Sequence, residues 1–418
     1  MKPTLVLITN HFPFSTGEAF IKQELDVIHS RFKNILIICR NTKSSDNQNS
    51  EYSFVRINPQ SSIIDYLKLP WLILLRFRMA VECLLDEFNF IKQDSFNIAH
   101  YKIMLHDLSK ALITGAAIEE ILKKQNITGK IVLYSYWLNS SALSLKFIKN
   151  KNCQFAKISR AHGGDVYESR HKENYLSFRN SIAADLSAIY FISQDGLNHV
   201  KDLIQTRFTS KLQLSRLGVF PTKIFKEYTH QERKLIVSCS YLVPVKRVHL
   251  MIEAISLIKT QNIKWVHIGG GPQQEALMRL AAQKLGSQSN IQYEFLGTLT
   301  TIQIKEFYKT NDVFLFLNTS ESEGVPVTIM EAQSHGIPTL ALDVGANREI
   351  VNNNTGRLLP NNSTAIDIAE GVENLLFVSP TEINNLRLAS FGSWQTNYNA
   401  EKNFNTFADQ ILNLFHEA

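Results

Sequence analysis

The chain has 418 residues, a length that predicts two domains rather than one or four. Hydrophobic residues make up 44% of the chain and charged residues 20%, which excludes a disordered or fibrous protein. The net charge of +6 is too dilute over this length to indicate a nucleic-acid partner, although anionic partners stay open.

The cysteines and the N-terminus both favour a cytoplasmic protein. The four cysteines lie far apart and form no CxxC pair, which argues against a disulfide framework and a zinc site. Met1 runs almost directly into an apolar segment at residues 4–9, without the charged and apolar regions of a secretory signal. We therefore expect a cytoplasmic localisation.

The most apolar longer stretch, residues 63–85, carries five charged side chains, which would be costly at bilayer depth, so it is not expected to span a membrane. Around Trp71 it mixes leucines with basic residues, as an interfacial helix on anionic lipid does. A buried helix of the first domain is the alternative interpretation. Peripheral docking on the inner membrane face is therefore a hypothesis at this stage.

Short β-branched runs alternate with helical stretches in both halves of the chain, which predicts parallel sheets covered by helices on both faces. A polar, proline-containing segment at 221–233 separates two series of such units and predicts a domain boundary near residue 225. The predicted strands lie at 4–9, 34–39, 130–134, 155–158, 188–193, 235–238, 265–268, 313–317 and 339–342.

The densest group of chemical side chains directly follows the run at 313–317. Glu323 lies in a turn with Gly324 and Val325, and Glu331 lies eight residues after Glu323 in the helix that follows. Ligands of parallel sheets bind beyond the carboxyl ends of the strands, where a helix start receives anions. The two carboxylates are candidate acceptors for sugar hydroxyls. A helix-start acid and a surface residue are the alternative.

Two further loops after predicted strands carry groups suited to phosphate. Lys246 and Arg247 begin a predicted helix, where basic side chains oppose the helix dipole unless they hold a pyrophosphate. Gly270, within a run of three glycines, lets a ligand approach the backbone, although this signal is weak by itself. A solvated basic turn and a simple tight turn are the alternatives.

The first half of the chain contributes two candidates. His162 lies between a predicted strand and two glycines, which leave room around its imidazole for a small ligand. A structural histidine is the alternative. Gly17 lies between the first strand and a predicted helix at 21–28, on the same ligand-facing edge.

Together these motifs resemble those of the retaining, nucleotide-sugar-dependent glycosyltransferases of family 4, within the glycosyl transferases group 1. The resemblance covers almost the whole chain and is most specific in Glu323-x7-Glu331 and residues 345–351. It implies the GT-B fold, an α/β architecture of two Rossmann-like, doubly wound domains that face each other across a cleft. The expected domains are an acceptor-side domain at 1–225, a donor domain at 226–395 and a helix at 396–418 that returns to the first domain.

The resemblance also implies a role for each candidate residue. Glu323 contacts the donor sugar near its reacting carbon, and Glu331 binds the ribose of the nucleotide. Lys246 neutralises the diphosphate, and His162 lies beside the transferred sugar. The remaining implied donor contacts are Gly17, Arg247, Gly270, Gly324 and Val325.

The implied reaction moves a sugar from a nucleotide diphosphate donor to a glycan or lipid-linked acceptor, with retention, in bacterial surface-polysaccharide assembly. Fixed cations aimed at the leaving diphosphate lower the barrier of such a reaction. No DxD motif after a predicted strand indicates a metal site, so we expect neither a metal nor a cofactor. The sequence does not fix the nucleotide base, the sugar or the acceptor.

One position departs from the family pattern. Tyr241 stands where the family usually has an arginine, five residues before Lys246, and Arg247 is a candidate to compensate for the lost cation. A nucleotide-sugar epimerase on the same fold and a catalytically inactive sugar-nucleotide-binding protein are therefore kept as alternatives. A dehydrogenase is disfavoured because no GxGxxG is followed by a ribose-binding acid.

Overall fold

The structure, a computed structural model, describes residues 2–14, 18, 20–40, 52–57, 70–91, 97–220, 225, 227–229 and 231–416. Gly17 and residues 63–69 of the apolar stretch lie outside these ranges. The chain divides into two compact units, one of Met1–Ser215 with Phe404–Ala418 and one of Arg216–Asn403.

The first unit is an α/β unit built on a parallel sheet. Its strands are β1 (Thr4–Thr9), β2 (Ile35–Cys39), β3 (Ser53–Arg56), β4 (Gly129–Ser135), β5 (Cys153–Ala161), β6 (Ala188–Phe191) and β7 (Leu212–Leu214). Among the described residues these seven strands follow the order β3-β2-β1-β4-β5-β6-β7. Its helices are α1 (Phe20–Ile28), α2 (Phe77–Ile91), α3 (Ile98–Lys124), α4 (Ser140–Ser144), α5 (Gly163–Val166), α6 (Arg179–Asp185) and α7 (Gln194–Leu203).

The burial of strand β1 at the centre of this sheet explains the unbroken apolar run at this point of the sequence. All six residues of β1 are buried, since helices cover both faces of the sheet. The register pairs Leu5 with Ile35 of β2 and Thr4 with Ile131 of β4, so the three strands end at the same edge. That shared carboxyl edge carries the loops after β1, β2, β4 and β5.

The second unit repeats the architecture. Its strands are β8 (Lys234–Cys239), β9 (Ile263–Ile268), β10 (Ile291–Phe295), β11 (Val313–Asn318), β12 (Thr339–Leu342) and β13 (Gly356–Leu359). In the described part of the chain these six parallel strands follow the order β10-β9-β8-β11-β12-β13. The helices are α8 (Val248–Leu257), α9 (Gln274–Leu285), α10 (Thr301–Thr310), α11 (Val327–Gln333), α12 (Asn347–Ile350), α13 (Ala365–Leu376), α14 (Pro380–Asn397) and α15 (Ala400–Asn413), the last of which continues into the first unit.

Two hydrophobic clusters cover the two faces of this second sheet. Successive residues of β8 alternate between them, with Ile236 in the cluster around Trp265 and Val237 in the cluster around Trp394. Both indoles are fully buried, and that of Trp394 donates to the backbone oxygen of Val219 at 3.3 Å. The two-sided burial accounts for the unbroken apolar runs in the sequence.

The prediction that Lys246 and Arg247 begin a helix is wrong in its bounds. Pro244 opens a single 3-10 turn that ends at Lys246, and Arg247 then adopts a left-handed conformation with φ of 46°. Helix α8 therefore begins only at Val248, and both cations precede it. The left-handed residue turns the chain sharply between the two elements.

The apolar stretch around Trp71 has an exposed face. Residues 70–75 are helical, and Trp71, Leu74 and Leu75 are 62%, 64% and 59% exposed. The interpretation of this stretch as a buried helix is therefore wrong for these three side chains. Within the part of the chain that the structure describes, no helix has the length and apolar character needed to cross a bilayer.

Candidate active site

Lys246 and Glu323 meet at the carboxyl edge of the second sheet. Lys246 follows β8, Glu323 follows the neighbouring strand β11, and the lysine Nζ lies 2.6 Å from the glutamate Oε1. The amide of Asn318, the last residue of β11, donates to the same oxygen at 3.4 Å. The lysine side chain is 23% exposed and that of the glutamate 10%, so both remain open to a ligand. A cation and an acceptor thus stand side by side where parallel sheets bind ligands.

Arg247 is tied to the surrounding loops. Its Nε donates to the backbone oxygen of Thr319 and its Nη2 to that of Asn361, each at 3.1 Å. The hydroxyl of Thr319 donates in return to the backbone oxygen of Arg247 at 3.1 Å. The guanidinium therefore holds the loops after β8, β11 and β13 together, with part of its donor capacity left for an anion.

A close backbone contact fixes the turn that contains Glu323 and Gly324. Gly345 has a φ of +50°, and a Cβ atom there would lie 2.1 Å from the backbone oxygen of Glu323. The backbone N–H of Ala346 donates to the oxygen of Gly324 at 3.2 Å, and Val325 packs on the buried cluster below. The missing Cβ of Gly345 thus allows the loop after β12 to support the turn.

Glu331 is buried on α11. Burial raises the pKa of its carboxyl to about 7, and the charge of Lys305 opposes this shift only in part. Its charge acts in turn on Cys239, the last residue of β8, whose pKa burial and Glu331 raise to about 12. The carboxyl therefore lies beside the end of β8 and titrates near neutral pH.

The glycine run packs backbone against backbone. Gly269 and Gly271 have φ values of 135° and 153°, and a Cβ atom on either would lie within 2.7 Å of the backbone of Ser240 or Leu242. Gly270 accepts a hydrogen bond from the N–H of Leu242 at 2.8 Å. The run therefore closes the loop after β9 onto the loop that leads to Lys246.

His162 lies in an aromatic enclosure in the first unit. It directly follows β5, its ring stacks on Tyr136 with centroids 5.0 Å apart, and the ring of Trp137 lies 4.7 Å away. Both ring nitrogens are buried, and neither has a hydrogen-bond partner among the residues that the structure describes. Burial, assisted by the charge of Arg160, lowers the pKa of His162 to about 3. The imidazole is therefore neutral and has unused donor and acceptor capacity.

Two buried carboxylates hold this enclosure in place. Asp165 accepts from the N–H of His162 at 3.0 Å and from the N–H of Leu138, although burial raises its pKa to about 7. Glu18 accepts from the indole of Trp137 at 2.6 Å and from the N–H groups of His11 and Phe12, each at 2.7 Å. The loops after β1, β4 and β5 are thereby joined around the histidine.

A buried ion pair lies beneath the same edge. The Arg160 guanidinium lies 2.9 Å from the Glu24 carboxylate, and Tyr134 donates to that carboxylate at 2.9 Å. Burial raises the pKa of Glu24 despite the favourable charge of Arg160. The guanidinium also lies over the ring of Phe407, 4.1 Å from its centroid. This network supplies the fixed positive charge that acts on His162.

Sequence reasoning missed several residues of these sites, among them Asn318, Glu18 and Trp137. Asn318 carries a recognisable signal, because a polar residue that ends an apolar strand lies at the ligand edge. Glu18 and Trp137 carry none, since their contact joins loops that are 119 residues apart. Gly17 lies outside the described residues.

Residues 220–382 match the family model of the glycosyl transferases group 1, as the sequence motifs predict. This range contains Lys246, Arg247, Gly270, Glu323 and Glu331, whereas Gly17 and His162 precede it. The matched residues lie within the second unit, so the similarity to group 1 glycosyltransferases is concentrated there.

Among curated proteins, the chain is 24% identical over 282 residues to the amylovoran biosynthesis glycosyltransferase AmsK of Erwinia amylovora. This match covers 64% of the chain and 65% of the relative, just under two thirds of its length. A second relative, the putative colanic acid biosynthesis glycosyltransferase WcaL of Salmonella typhimurium, is 29% identical over 36% of the chain and 39% of its own length.

Among solved structures, the lipopolysaccharide outer core galactosyltransferase WaaB in its apo form is similar over 99% of both chains. The TM-score is 0.69 at 14% sequence identity, so the likeness concerns the fold alone. The predicted fold class is confirmed: the chain has the GT-B architecture of two parallel-sheet α/β domains.

Proposed function

We propose that this chain, with its group 1 glycosyltransferase domain, transfers a sugar from a nucleoside diphosphate donor to a glycan or lipid-linked acceptor in bacterial surface-polysaccharide biosynthesis. The observation that carries the proposal is the contact between Lys246 and Glu323 at the ligand edge of the matched domain. The names of AmsK and WcaL, which assign these relatives to amylovoran and colanic acid biosynthesis, support the biological setting.

In this proposal the bound donor separates Lys246 from Glu323 and becomes the partner of both side chains. The diphosphate takes the positive charge of Lys246, and the released Glu323 carboxylate accepts hydrogen bonds from hydroxyls of the donor sugar. Glu331 binds the ribose, and the backbone at Gly270, Gly324 and Val325 lines the donor. Gly17 completes the donor contacts.

The proposed chemical step retains the anomeric configuration and needs no metal. A hydroxyl of the acceptor attacks the anomeric carbon from the side of the leaving group while the bond from that carbon to the phosphate oxygen breaks. The diphosphate keeps the bonding electron pair and takes the hydroxyl proton. Lys246 stabilises the negative charge that develops on the diphosphate, and such fixed charges act strongly in a site closed to water.

His162 acts on the transferred sugar rather than on the phosphate. Its pKa of about 3 keeps the ring neutral at physiological pH, so it donates or accepts a hydrogen bond without adding charge. The two ring nitrogens without a partner give this role its support, because a buried polar group without a partner is costly unless a ligand satisfies it.

Arg247 has a positioning role in this proposal. Its hydrogen bonds to Thr319 and Asn361 hold the loop of Lys246 against the loop of Glu323. Tyr241, at the position where the sequence resemblance implies an arginine, is 62% exposed. The remaining positive charge near the diphosphate then rests mainly on Lys246.

The decisive test compares Glu323→Gln with Glu321→Gln in a transfer assay that uses a panel of nucleotide sugars and a lipid-linked acceptor. Glu321 lies in the same loop with an exposed side chain, so it serves as the matched control. We expect the Glu323 variant to lose at least about 10²-fold in transfer while the control keeps its rate. Equal activity of both variants would contradict the assignment.

The same assay separates the alternative functions, neither of which the relatives favour. An epimerase converts its donor without any acceptor, and an inactive binding protein retains nucleotide affinity without turnover. A transferase gives only slow hydrolysis of the donor when the acceptor is left out. Proton NMR spectra of the product report its anomeric configuration. We expect a metal chelator to leave the rate of transfer unchanged.

We also propose that the protein works in the cytoplasm and docks peripherally on the inner membrane face. Trp71, Leu74 and Leu75 support this, because an exposed aromatic and aliphatic face beside the exposed Arg78 suits an anionic lipid interface. In flotation with phosphatidylglycerol vesicles, Leu74→Asp should lower binding. Ile302→Asp, at another exposed apolar site, should not, and equal binding of both variants would contradict the proposal.

A further inference from the structure

A second group of charged residues lies at the carboxyl edge of the first sheet, apart from His162. Arg40 directly follows β2, and its N–H donates to the backbone oxygen of Thr9 at the end of β1. Its guanidinium donates to the hydroxyls of Ser140, at 3.3 Å, and Ser141, at the start of α4. Arg40 is half-buried, and a guanidinium shielded from water is more often held by a carboxylate than by two neutral hydroxyls.

Among the described residues that act electrostatically on Arg40 and Lys110, Asp107 is the carboxylate. Burial lowers the pKa of Arg40 to about 10, and the Asp107 carboxylate on α3 opposes the shift. Lys110, one turn further along α3, also has its pKa lowered, first by burial and then by the charge of Arg40. Asp107 further accepts from the hydroxyl of Ser177 at 2.7 Å. Two cations therefore share one carboxylate.

Among the described residues, the groups around Arg40 have hydrogen-bonding capacity that their protein contacts do not use. The Nε of Arg40 is buried without a hydrogen-bond partner, and Arg40 and Lys110 form no ion pair with any residue that the structure describes. The hydroxyls of Ser140 and Ser141 accept from Arg40, which leaves their protons free to donate. A guanidinium, an ammonium and two hydroxyls are groups that proteins use to bind phosphate and carboxylate.

The same loop connects this group to the enclosure of His162. Residues 136–141 carry the rings of Tyr136 and Trp137 at one end, packed on His162, and Ser140 and Ser141 at the other. A ligand that extends along this loop would contact both groups.

We propose that Arg40 and Lys110, with the two serines, form a binding site for an oxyanion carried by the acceptor, so that the enzyme selects an acidic acceptor bearing a phosphate or a carboxylate. The assignment of the anion to the acceptor rests on the proposed function, whereas the presence of the anion site does not. Sugar phosphates and uronates present the same chemistry to this site.

The test uses the full chain with Lys246→Met, so that the donor loop cannot account for a phosphate signal. Thermal stability is followed during titration with inorganic phosphate, D-glucuronate and neutral D-glucose. We expect phosphate, glucuronate or both to raise the melting temperature saturably, and glucose to have no effect. Adding Arg40→Gln or Lys110→Met should weaken the response at least tenfold.

Lys102→Met is the matched control, because this lysine lies on the same helix with an exposed side chain. It should leave the anion response unchanged. No response to either anion, or an unchanged response in the Arg40 or the Lys110 variant, would overturn the proposal. The melting temperature of each variant without ligand shows whether it folds. If Arg40→Gln does not fold, the anion response of Lys110→Met tests the proposal.

The two acidic probes separate the sources of the anion. A response to phosphate alone assigns a phosphorylated acceptor, and a response to glucuronate alone assigns a uronate. Nucleoside diphosphate binding to the chain with native Lys246 is measured in parallel. If that binding fails while the anion response persists, the proposed function is refuted and the anion site stands.

Discussion

The two units hold their candidate residues in opposite chemical settings. In the second unit, Lys246 and Glu323 form an ion pair that remains partly exposed. In the first, His162 is enclosed by aromatic rings and is neutral, and in the described part of the chain neither of its ring nitrogens has a partner. The difference teaches that the ion pair offers charged groups to a ligand, whereas the enclosure of His162, apart from the Arg40 group on the same edge, offers neutral hydrogen-bonding atoms.

The settings also differ in what maintains them. The ion pair of the second unit depends on backbone packing, with Gly345 against the turn of Glu323 and Arg247 between neighbouring loops. The enclosure of His162 depends on the buried carboxylates of Glu18 and Asp165. Variants of these residues can therefore disturb one edge and leave the other intact.

The largest effect is expected at the charged edge, which is the carboxyl edge of the second sheet with Lys246 and Glu323. Lys246→Met removes the cation proposed to stabilise the leaving diphosphate, so transfer should fall by about 10²–10³-fold with the fold unchanged. Lys264→Met is the control, because that lysine is exposed and pairs with Glu294 on the sheet surface. Steady-state rates measure the effect, and a similar loss in both variants would remove the contrast between the two lysines.

The next effect tests the backbone support of that edge. Gly345→Ala introduces a Cβ atom 2.1 Å from the oxygen of Glu323 at a φ of +50°, so stability should fall by about 3 kcal/mol. Gly392→Ala, within α14 and with no atom near the added Cβ, should instead stabilise by about 1 kcal/mol. Urea denaturation compares the two, and a harmless Gly345 variant would show that the turn is not fixed in this way.

The neutral imidazole of His162 predicts that the folding stability of the chain is sensitive to acid. His162 has a pKa of about 3 when folded, below its ordinary 6.5, so the unfolded chain binds a proton between these values and the native state does not. The free energy of unfolding therefore decreases as the pH falls below 6.5, by about 2 kcal/mol at pH 5. Between pH 7.5 and 5, His162→Gln should lose about that much less stability than the parent chain.

The exposed His249 provides the control for this measurement. His249→Gln should follow the parent chain at every pH. A parent-like acid response of the His162 variant would show that the imidazole is not held neutral.

The smallest effect concerns Glu331. With a pKa of about 7, its carboxyl ionises between pH 6 and 8. The ionised form is the one proposed to accept hydrogen bonds from the ribose hydroxyls. Nucleotide affinity should rise at most about tenfold over this range. Calorimetric titration at several pH values measures the rise, which Glu331→Gln should abolish and Glu321→Gln should preserve.

The interior of the fold was predictable from sequence and its borders were not. All nine predicted strands are interior strands of the two sheets. The four strands that the pattern did not reveal among the described residues, β3, β7, β10 and β13, are the sheet edges. An edge strand has a partner on one side only and is less buried, as in β10, where only the first residue is buried and the rest alternate between exposed and half-buried, so it lacks an unbroken apolar run.

The candidate sites show the same division. The residues of the charged edge lie in loops directly after apolar strands, so their meeting follows from parallel topology. The support of His162 by Glu18 and Trp137 depends on a contact between distant loops, which no local pattern encodes. The left-handed turn at Arg247 was missed because a basic residue carries no signal for that conformation.

The central claim is that the charged edge binds the diphosphate of a nucleotide sugar through Lys246, and the most direct measurement is thermal stability with UDP, GDP or ADP. We predict that one of these nucleotides, at 100 times its dissociation constant, stabilises the chain by about 2.7 kcal/mol. The stabilisation should disappear in Lys246→Met and persist in Lys264→Met. No stabilisation by any of the three, or equal stabilisation of both variants, would contradict the account.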